Sequence, residues 1–482
     1  MAINSKPEQN LSQLFQKWKG EVPDKIVELP PSGSERIYYR LYSGDESVIG
    51  AYNKNINENN AFLEFTKHFT DHELPVPSLL AVNEPADSYL ITDLGNTTLF
   101  SLLPHKLKQE KFSQEVVDIY KKALEWLPKI QVIAGKDLNY YMCYPRQSFD
   151  EQSMAWDLNY FKYFFLKLGG IHFDEQRLEH YFNTLIKWLS KAPADYFMFR
   201  DFQSRNIMVV NNEPWFIDYQ GGRKGPLQYD VASLLFDAKA NIPFNLRQEL
   251  LDHYLEQLGK YIDIDYDSFI KYYYGFVLIR IFQALGTYGF RGFYEKKSLF
   301  LQSIPYAQNN LNWLLEQNLF PENLPHLKTI AERIVEARQF QKYKREPVDK
   351  SKLRIDIRSF SYKKDIPVDL SSNGGGFVFD CRALPNPGRL EEFKNYTGKD
   401  KPVIQYLEEM DEVSDFINKS SELVIASAKK YIERGFTNLM VCYGCTGGQH
   451  RSVYCAEKLA KIISKKLDVV VDLQHEEENI TL

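Results

Sequence analysis

The sequence is poor in cysteine, in long apolar runs and in any strong excess of one charge. Five cysteines in 482 residues cannot staple a chain of this size, which excludes a disulfide scaffold and fits a reducing compartment. No apolar run approaches the roughly 20 residues of a membrane span. The opening "MAINSKPEQNLSQLFQKWKG" has no apolar h-region, so no signal peptide is expected. A net charge of −5 argues against a broadly basic, nucleic-acid-coating protein. Internal repeats and low-complexity tracts are missing too. The expectation is a cytoplasmic, membrane-free protein of two or three domains, since single cores stop growing beyond about 250–300 residues.

What is present is an ordinary globular composition with a change of grammar along the chain. Residues 8–19 have the spacing of an amphipathic helix, with Leu11, Leu14, Phe15 and Trp18 on one face. Strand-like pieces follow in "ERIYYRLYS" and "SVIGAY", then a helical "NNAFLEFTKHF", then "SYLITDLGN" as a strand running into a turn. From about 98 to 340 the pattern is helical and rich in aromatics, interrupted by a β-rich insert at 200–220. Strands followed by a helical mass predict an α+β arrangement. The charged, proline-bearing "QKYKREPVDKSK" has no apolar periodicity and is expected to be a linker. Beyond it, strands alternate with helices, as in a small α/β domain.

Within the insert, "FRDFQSRNIMVVNNEPWFIDYQGG" separates Asp201 and Asn206 by four residues. That is the D-x4-N spacing of kinase-type catalytic loops. Ile207–Val210, a turn at 211–213 and a return strand at 215–217 form a hairpin that delivers Asp218 back beside Asn206. Phosphoryl transfer needs a divalent cation clamped on phosphate oxygens and a carboxylate aimed at the acceptor hydroxyl. Asn206 and Asp218 suit the Mg²⁺, and Asp201 suits the acceptor. The competing reading makes Asp201 and Asn206 turn residues and Asp218 the end of a strand.

With "GSERIYYR", "LITDLGNTTL", "RDFQSRNIMV", "FIDYQGG" and "GPLQYDVASLLFDA", the first 340 residues resemble the aminoglycoside phosphotransferase, choline-kinase-like family. Within that family they are most similar to the AmgK group of anomeric kinases for N-acetylmuramate and N-acetylglucosamine in cell-wall recycling. The resemblance implies a two-lobed protein-kinase-like fold with an N-lobe at 1–97 and a helical C-lobe at 98–345. It implies ATP and Mg²⁺, with Asp201 as catalytic base and Asn206 and Asp218 as metal ligands. Ser34 and Arg36 fall in the nucleotide-loop region, and Thr92, Asp93 and Leu94 form the hinge beside the adenine. Phe199 stands where the family usually has His. The third strand shows no phosphate-anchoring Lys, leaving Lys54 as a displaced candidate and Arg36 or Arg40 as substitutes. Asp230 is expected to cap the "VASLLFDA" helix. Aromatics such as Tyr288 and Phe290, with Arg280, are candidates for an acceptor pocket.

The far end holds "YGCTGGQHRS", preceded by a strand and followed by a helix face of Val453, Ala456, Ala460, Ile463 and Leu467. Strand, glycine turn and helix N-terminus form a ready anion cradle. Its C-x5-R spacing also allows a phosphatase with Cys445 as nucleophile, and Cys442 with Cys445 reads as C-x-x-C. A plain glycine turn with nothing bound is the remaining alternative. Together with "FVFDCRALPNPGR" and "TGKDKPV", the loop resembles the RapZ C-terminal domain over about 355–475, within a domain placed at 355–482 after a linker at 346–354. That resemblance implies a small α/β fold and an amino-sugar-phosphate ligand such as glucosamine-6-phosphate. The implied contacts are Asp380, Arg382, Cys445, Thr446, Gly447, Gly448, His450 and Arg451, and Asn386 joins them as a further candidate in the loop just after the "FVFD" strand. Gln449 replaces a family Lys, and Glu476–Glu478 make the tail acidic, so nucleic acid is not an expected partner. His475 is read as part of that tail.

The joint expectation is an ATP-dependent amino-sugar kinase fused to an amino-sugar-phosphate sensor, with a protein partner possible. The alternative of another class is a regulatory pseudokinase or adapter.

Overall fold

The computed structural model describes residues 6–30, 35–103, 112–344, 352–364, 366–369, 371 and 375–477. The chain divides into two compact units, residues 1–294 with 303–344 and residues 295–302 with 345–482. Among the described residues, no helix is long and apolar enough to cross a membrane.

The first unit begins with an antiparallel sheet of β1 (Lys25–Glu28), β2 (Ile37–Ser43), β3 (Glu46–Tyr52), β4 (Leu79–Val82) and β5 (Ser88–Thr92) in the order β1-β2-β3-β5-β4. Helix α1 (Lys6–Lys19) lays Leu11, Leu14 and Phe15 on this sheet. Trp18 lies at the rim, 38% exposed, rather than on the buried face the spacing suggested. Helix α2 (Ile56–Asp71) starts at Asn55, whose side chain accepts from the Glu58 N–H, and buries Ala61, Phe62, Phe65 and Phe69.

The helical half contains α3 (Gln114–Pro128), α4 (Glu151–Tyr160), α5 (Glu175–Leu189), α6 (Leu227–Leu235), α7 (Phe244–Leu258) and α8 (Tyr266–Gly289). Beyond its exposed first turn, helix α8 is mostly apolar and is largely buried from Phe269 to Gly289. Its last residue has to be glycine: a Cβ at Gly289 would lie 2.1 Å from the Phe164 carbonyl oxygen. Two small antiparallel ribbons are set among the helices, β6 (Tyr196–Met198) with β9 (Arg223–Gly225), and β7 (Ile207–Val210) with β8 (Glu213–Phe216).

The second unit is built on a parallel sheet of β10 (Arg354–Ser361), β11 (Gly376–Asp380), β12 (Asn438–Cys445) and β13 (Val470–His475), ordered β11-β12-β10-β13. Ile355, Ile357, Leu439, Val441 and Tyr443 pack against Val424, Leu459 and Ile463 of its helices. Sequence reading found β11 and β12 but neither β10 nor β13. Of the expected linker, 346–351 lie outside the described residues, and Arg354 already belongs to β10. His475 ends β13 instead of trailing in a tail; its imidazole is buried against Ser359 and Glu457.

Candidate functional site

The hairpin that organises the kinase-like site is fixed by its turn. Asn211 and Asn212 both have positive φ, 52° and 61°, the left-handed pair that a tight two-residue hairpin demands and asparagine tolerates. The return strand is tied to the loop by the Ile217 N–H donating to the Asn206 carbonyl at 3.0 Å. Asp218 itself has φ 67°, a strained conformation for a residue with a side chain.

These constraints bring the three expected residues together. The Asn206 amide nitrogen donates to the Asp201 backbone carbonyl at 2.9 Å and to Asp218 Oδ2 at 3.1 Å. Gln220 donates to the other Asp218 oxygen at 2.7 Å. With its nitrogen so committed, the side-chain oxygen of Asn206 is the atom that would face a cation. Burial and the nearby Asp201 carboxylate push the Asp218 carboxyl above its usual range. A buried carboxylate repelled by a second one is a donor set that a hard divalent ion would neutralise, so the residues fit Mg²⁺.

Behind the loop, Asp230 does work that sequence reading did not foresee. Its helix, α6, begins at Pro226 without a side-chain cap, so Asp230 is not the cap expected of it. Its carboxylate instead accepts the backbone N–H groups of Phe199 at 2.7 Å and Arg200 at 3.0 Å. Gln131 adds a third donor at 3.2 Å. Burial raises the Asp230 carboxyl to about 7, opposed by those hydrogen bonds. Phe199, in place of the family His, is buried with its ring edge-on to Phe202 and Tyr219. Arg200 pairs bidentately with Asp157 at 2.6 and 2.9 Å. The loop that carries Asp201 is thus held by a carboxylate below it and an ion pair beside it.

On the nucleotide side, Ser34 lies outside the described residues. Lys54 is exposed just past β3. Arg36 is buried, 3% exposed, and donates to Glu58 of α2 at 3.0 Å. Burial, which opposes its charge, is outweighed by Tyr89, Tyr38 and Glu58, so its pKa is raised. Arg36 also pulls the Asp218 carboxyl down, which puts the two in electrostatic reach of each other. Glu58 was missed from sequence; its only signal is the Asn55-x-x-Glu58 pattern of a capping box. Its carboxylate reaches Arg36 and Asn53 rather than the cap. Thr92 ends β5, and Leu94 follows Asp93 out of the strand. The Asp93 carboxylate is taken up by Arg40 and Ser47, so Arg40 is committed to the turn after β5 and is not available to phosphates.

In the second unit the strands' carboxyl ends gather the expected residues. Asp380 ends β11 and chelates the Arg382 guanidinium at 2.7–3.0 Å. That contact, ahead of the others, holds its carboxyl below the usual range. Cys445 ends β12 with its thiol buried, accepting from the Gly448 N–H at 3.2 Å and in contact with Ser452 Oγ at 3.1 Å. Thr446 and Gly447 form the exposed tip. Gly448 has φ 71°, and a Cβ there would lie 2.3 Å from Glu477 Cγ. Arg451 heads the following helix, Arg451–Lys466, and donates to the carbonyls of Arg382 at 2.8 Å and Leu384 at 3.0 Å. It joins the two loops into one crevice. His450 Nε2 meets the Phe393 carbonyl at 3.1 Å, and Asn386 begins the adjoining turn at Pro387–Arg389. Cys442 is buried within β12, which removes it from any C-x-x-C site facing solvent. Glu476 and Glu477 are paired with Arg358 and Lys364, so their charge is neutralised internally.

A two-lobed kinase-like unit with a D-x4-N loop and a returning aspartate, followed by a parallel α/β unit with a glycine turn, defines a phosphotransferase-type domain joined to a small α/β domain. The first is a domain of the phosphotransferase enzyme family, matched over residues 31–269, and the second is a RapZ C-terminal domain, matched over 353–479. The chain is 37% identical over 155 residues to a nucleotide-binding protein of Acidobacterium capsulatum, covering 30% of this chain and 48% of that one. It is 39% identical over 128 residues to a nucleotide-binding protein of Lactobacillus delbrueckii subsp. bulgaricus, covering 27% and 41%. The chain therefore spans about half or less of the length of these relatives. Among solved structures it is similar to choline kinase LicA from Streptococcus pneumoniae, with 12% identity, TM-score 0.41, and 70% and 100% of the two chains covered. The Cryptosporidium parvum choline kinase gives 12% identity, TM-score 0.45, and 67% and 99% coverage.

Proposed function

We propose that this chain is an ATP- and Mg²⁺-dependent phosphotransferase acting on a hydroxyl, the anomeric one, of an amino sugar such as N-acetylmuramate or N-acetylglucosamine. The observation that carries the reading is the Asp201–Asn206–Asp218 constellation at the base of one hairpin. Asp201 orients the acceptor hydroxyl and receives its proton, Asn206 and Asp218 hold the cation, and Arg36, fixed by Glu58, offers positive charge to the nucleotide phosphates. Bound Mg²⁺ would supply charge neutralisation on the phosphate oxygens. The absent strand lysine does not argue for a pseudokinase, because the Arg36–Glu58 pair provides a buried cation from the residue that precedes β2.

The acceptor side is positive as well. Arg223 and Arg280 both feel the Asp201 carboxylate, and neither makes an ion pair with a carboxylate among the described residues. This favours an acceptor with its own carboxylate, and so N-acetylmuramate over N-acetylglucosamine.

In the second unit, the crevice between Asp380–Arg382 and the 445–451 loop binds an amino-sugar phosphate such as glucosamine-6-phosphate, and that ligand adjusts the kinase. The buried thiol and the carbonyl-bound Arg451 favour holding a phosphate over cleaving it. Calorimetric titration of the full chain with glucosamine-6-phosphate, repeated while following kinase rate, tests this half. Absence of binding removes the sensor, and binding without a change in rate removes the regulation.

A further inference from the structure

The carboxyl end of α2 carries a side-chain cluster that phosphoryl transfer does not use. His68 and His72 are one turn apart, with ring centroids 4.3 Å from each other. Asp137 stands opposite them, in the segment following α3 and its π-helical extension Lys129–Ala134. One carboxylate oxygen, Oδ1, lies 3.3 Å from His72 Nε2 and 3.7 Å from His68 Nε2. One nitrogen from each histidine and this carboxylate all lie within 4.8 Å of one another.

We propose that His68, His72 and Asp137 form a binding site for a transition-metal dication of the Zn²⁺ class, separate from the catalytic cation site. Three physical features support it. Tetrahedral Zn²⁺ with bonds of about 2.0–2.1 Å sets its ligand atoms about 3.3 Å apart, and the two histidine–aspartate separations are close to that edge. The ring of His72 is already oriented for ligation. Its Nδ1 donates to the His68 carbonyl at 2.9 Å, which fixes the tautomer and leaves the Nε2 lone pair facing Asp137. Finally, the carboxyl end of a helix presents partial negative charge to a cation.

His68 Nε2 donates to the Ala134 carbonyl at 2.7 Å. Coordination would replace that hydrogen bond, with the ring proton moving to Nδ1. Both histidines are partly buried while Asp137 is exposed, so the metal enters from solvent. A bound ion would staple the end of α2 to the helical half of the same unit. The other end of α2 carries Glu58, the partner of Arg36.

The test uses the full chain, stripped with a chelator and then titrated with Zn²⁺ by calorimetry in excess Mg²⁺, with Co²⁺ as a spectroscopic probe. The expected result is one Zn²⁺ per chain, an absorption spectrum of tetrahedral Co²⁺ lacking thiolate charge-transfer bands, and a Zn²⁺-dependent rise in Tm. Binding should vanish in His72→Ala, weaken at least roughly tenfold in Asp137→Ala, and persist in Asp218→Asn. Because Asp137 is exposed, its variant keeps the fold if His72→Ala does not. Stoichiometric Zn²⁺ binding that is unchanged in Asp137→Ala and His72→Ala, thiolate bands in the Co²⁺ spectrum, or no binding by the wild type would overturn the proposal.

Discussion

Asn206 donates both to the Asp218 carboxylate, at 3.1 Å, and to the backbone carbonyl of Asp201, at 2.9 Å. One amide group therefore spaces the two acidic residues and commits its nitrogen to both. Asn206→Ala removes both restraints and, on the proposed function, one metal ligand. Turnover should fall by at least roughly 100-fold, with a matching rise in the Mg²⁺ concentration needed for half-maximal rate. A rate near wild type at ordinary Mg²⁺ would show that Asn206 is only a turn residue.

The Arg36–Glu58 pair links the residue just before β2 to α2, with the arginine side chain almost fully buried. Glu58→Ala leaves that guanidinium without its carboxylate. Because Glu58 is partly exposed, the cost to stability should be roughly 1–3 kcal/mol, read by urea unfolding. The KM for nucleotide should rise in Glu58→Ala and in Arg36→Ala, while Lys54→Ala leaves it near wild type. An effect confined to Lys54 would reassign the phosphate anchor.

Asp230 gives a pH signature. Burial raises its carboxyl to about 7 in the folded protein, above its ordinary value near 4. A raised acid binds its proton more tightly when folded. Its contribution is therefore complete below about pH 4 and is lost as pH rises toward 7, by at most about 1.4 kcal/mol per pH unit. The stability of wild type relative to Asp230→Asn should grow between pH 7.5 and pH 5. A difference independent of pH would contradict this reading of Asp230.

The acceptor preference rests on Arg223 and Arg280. Arg280→Ala should raise the KM for N-acetylmuramate by roughly tenfold or more and change that for N-acetylglucosamine much less. Equal effects on both sugars would remove the carboxylate contact from the account.

In the second unit, Arg382→Ala should weaken glucosamine-6-phosphate binding by roughly tenfold, whereas Cys445→Ser should weaken it only a few-fold. Hydrolysis of an aryl phosphate that disappears in Cys445→Ser would instead identify a nucleophile.

Much of the kinase-like site is readable because its parts are close in sequence. Asp201, Asn206 and Asp218 fall within one loop and one hairpin, and the Asn211–Asn212 turn announces the return strand. The cysteine loop is readable for the same reason, as strand, glycines and helix follow one another. What stayed hidden depends on contacts between distant segments. Asp230 looks like a helix cap to a local rule, yet its partners are the amides of Phe199 and Arg200, about thirty residues earlier. Glu58 finds Arg36 only once α2 folds back on β2. Strand β13 resembles a tail until it pairs in parallel with β10, more than a hundred residues away.

The central claim is transfer of a phosphoryl group from ATP to a sugar hydroxyl by Asp201. It is tested most directly by measuring ADP release over a panel of amino sugars, with product analysis, for wild type and Asp201→Asn. The account predicts turnover with an N-acetylated amino sugar, N-acetylmuramate foremost, giving a 1-phosphate, and a loss of roughly 10²–10⁴-fold in the variant. Equal rates in both proteins, or no sugar-dependent ADP from either across the panel, would contradict it and leave the first unit as a binding scaffold.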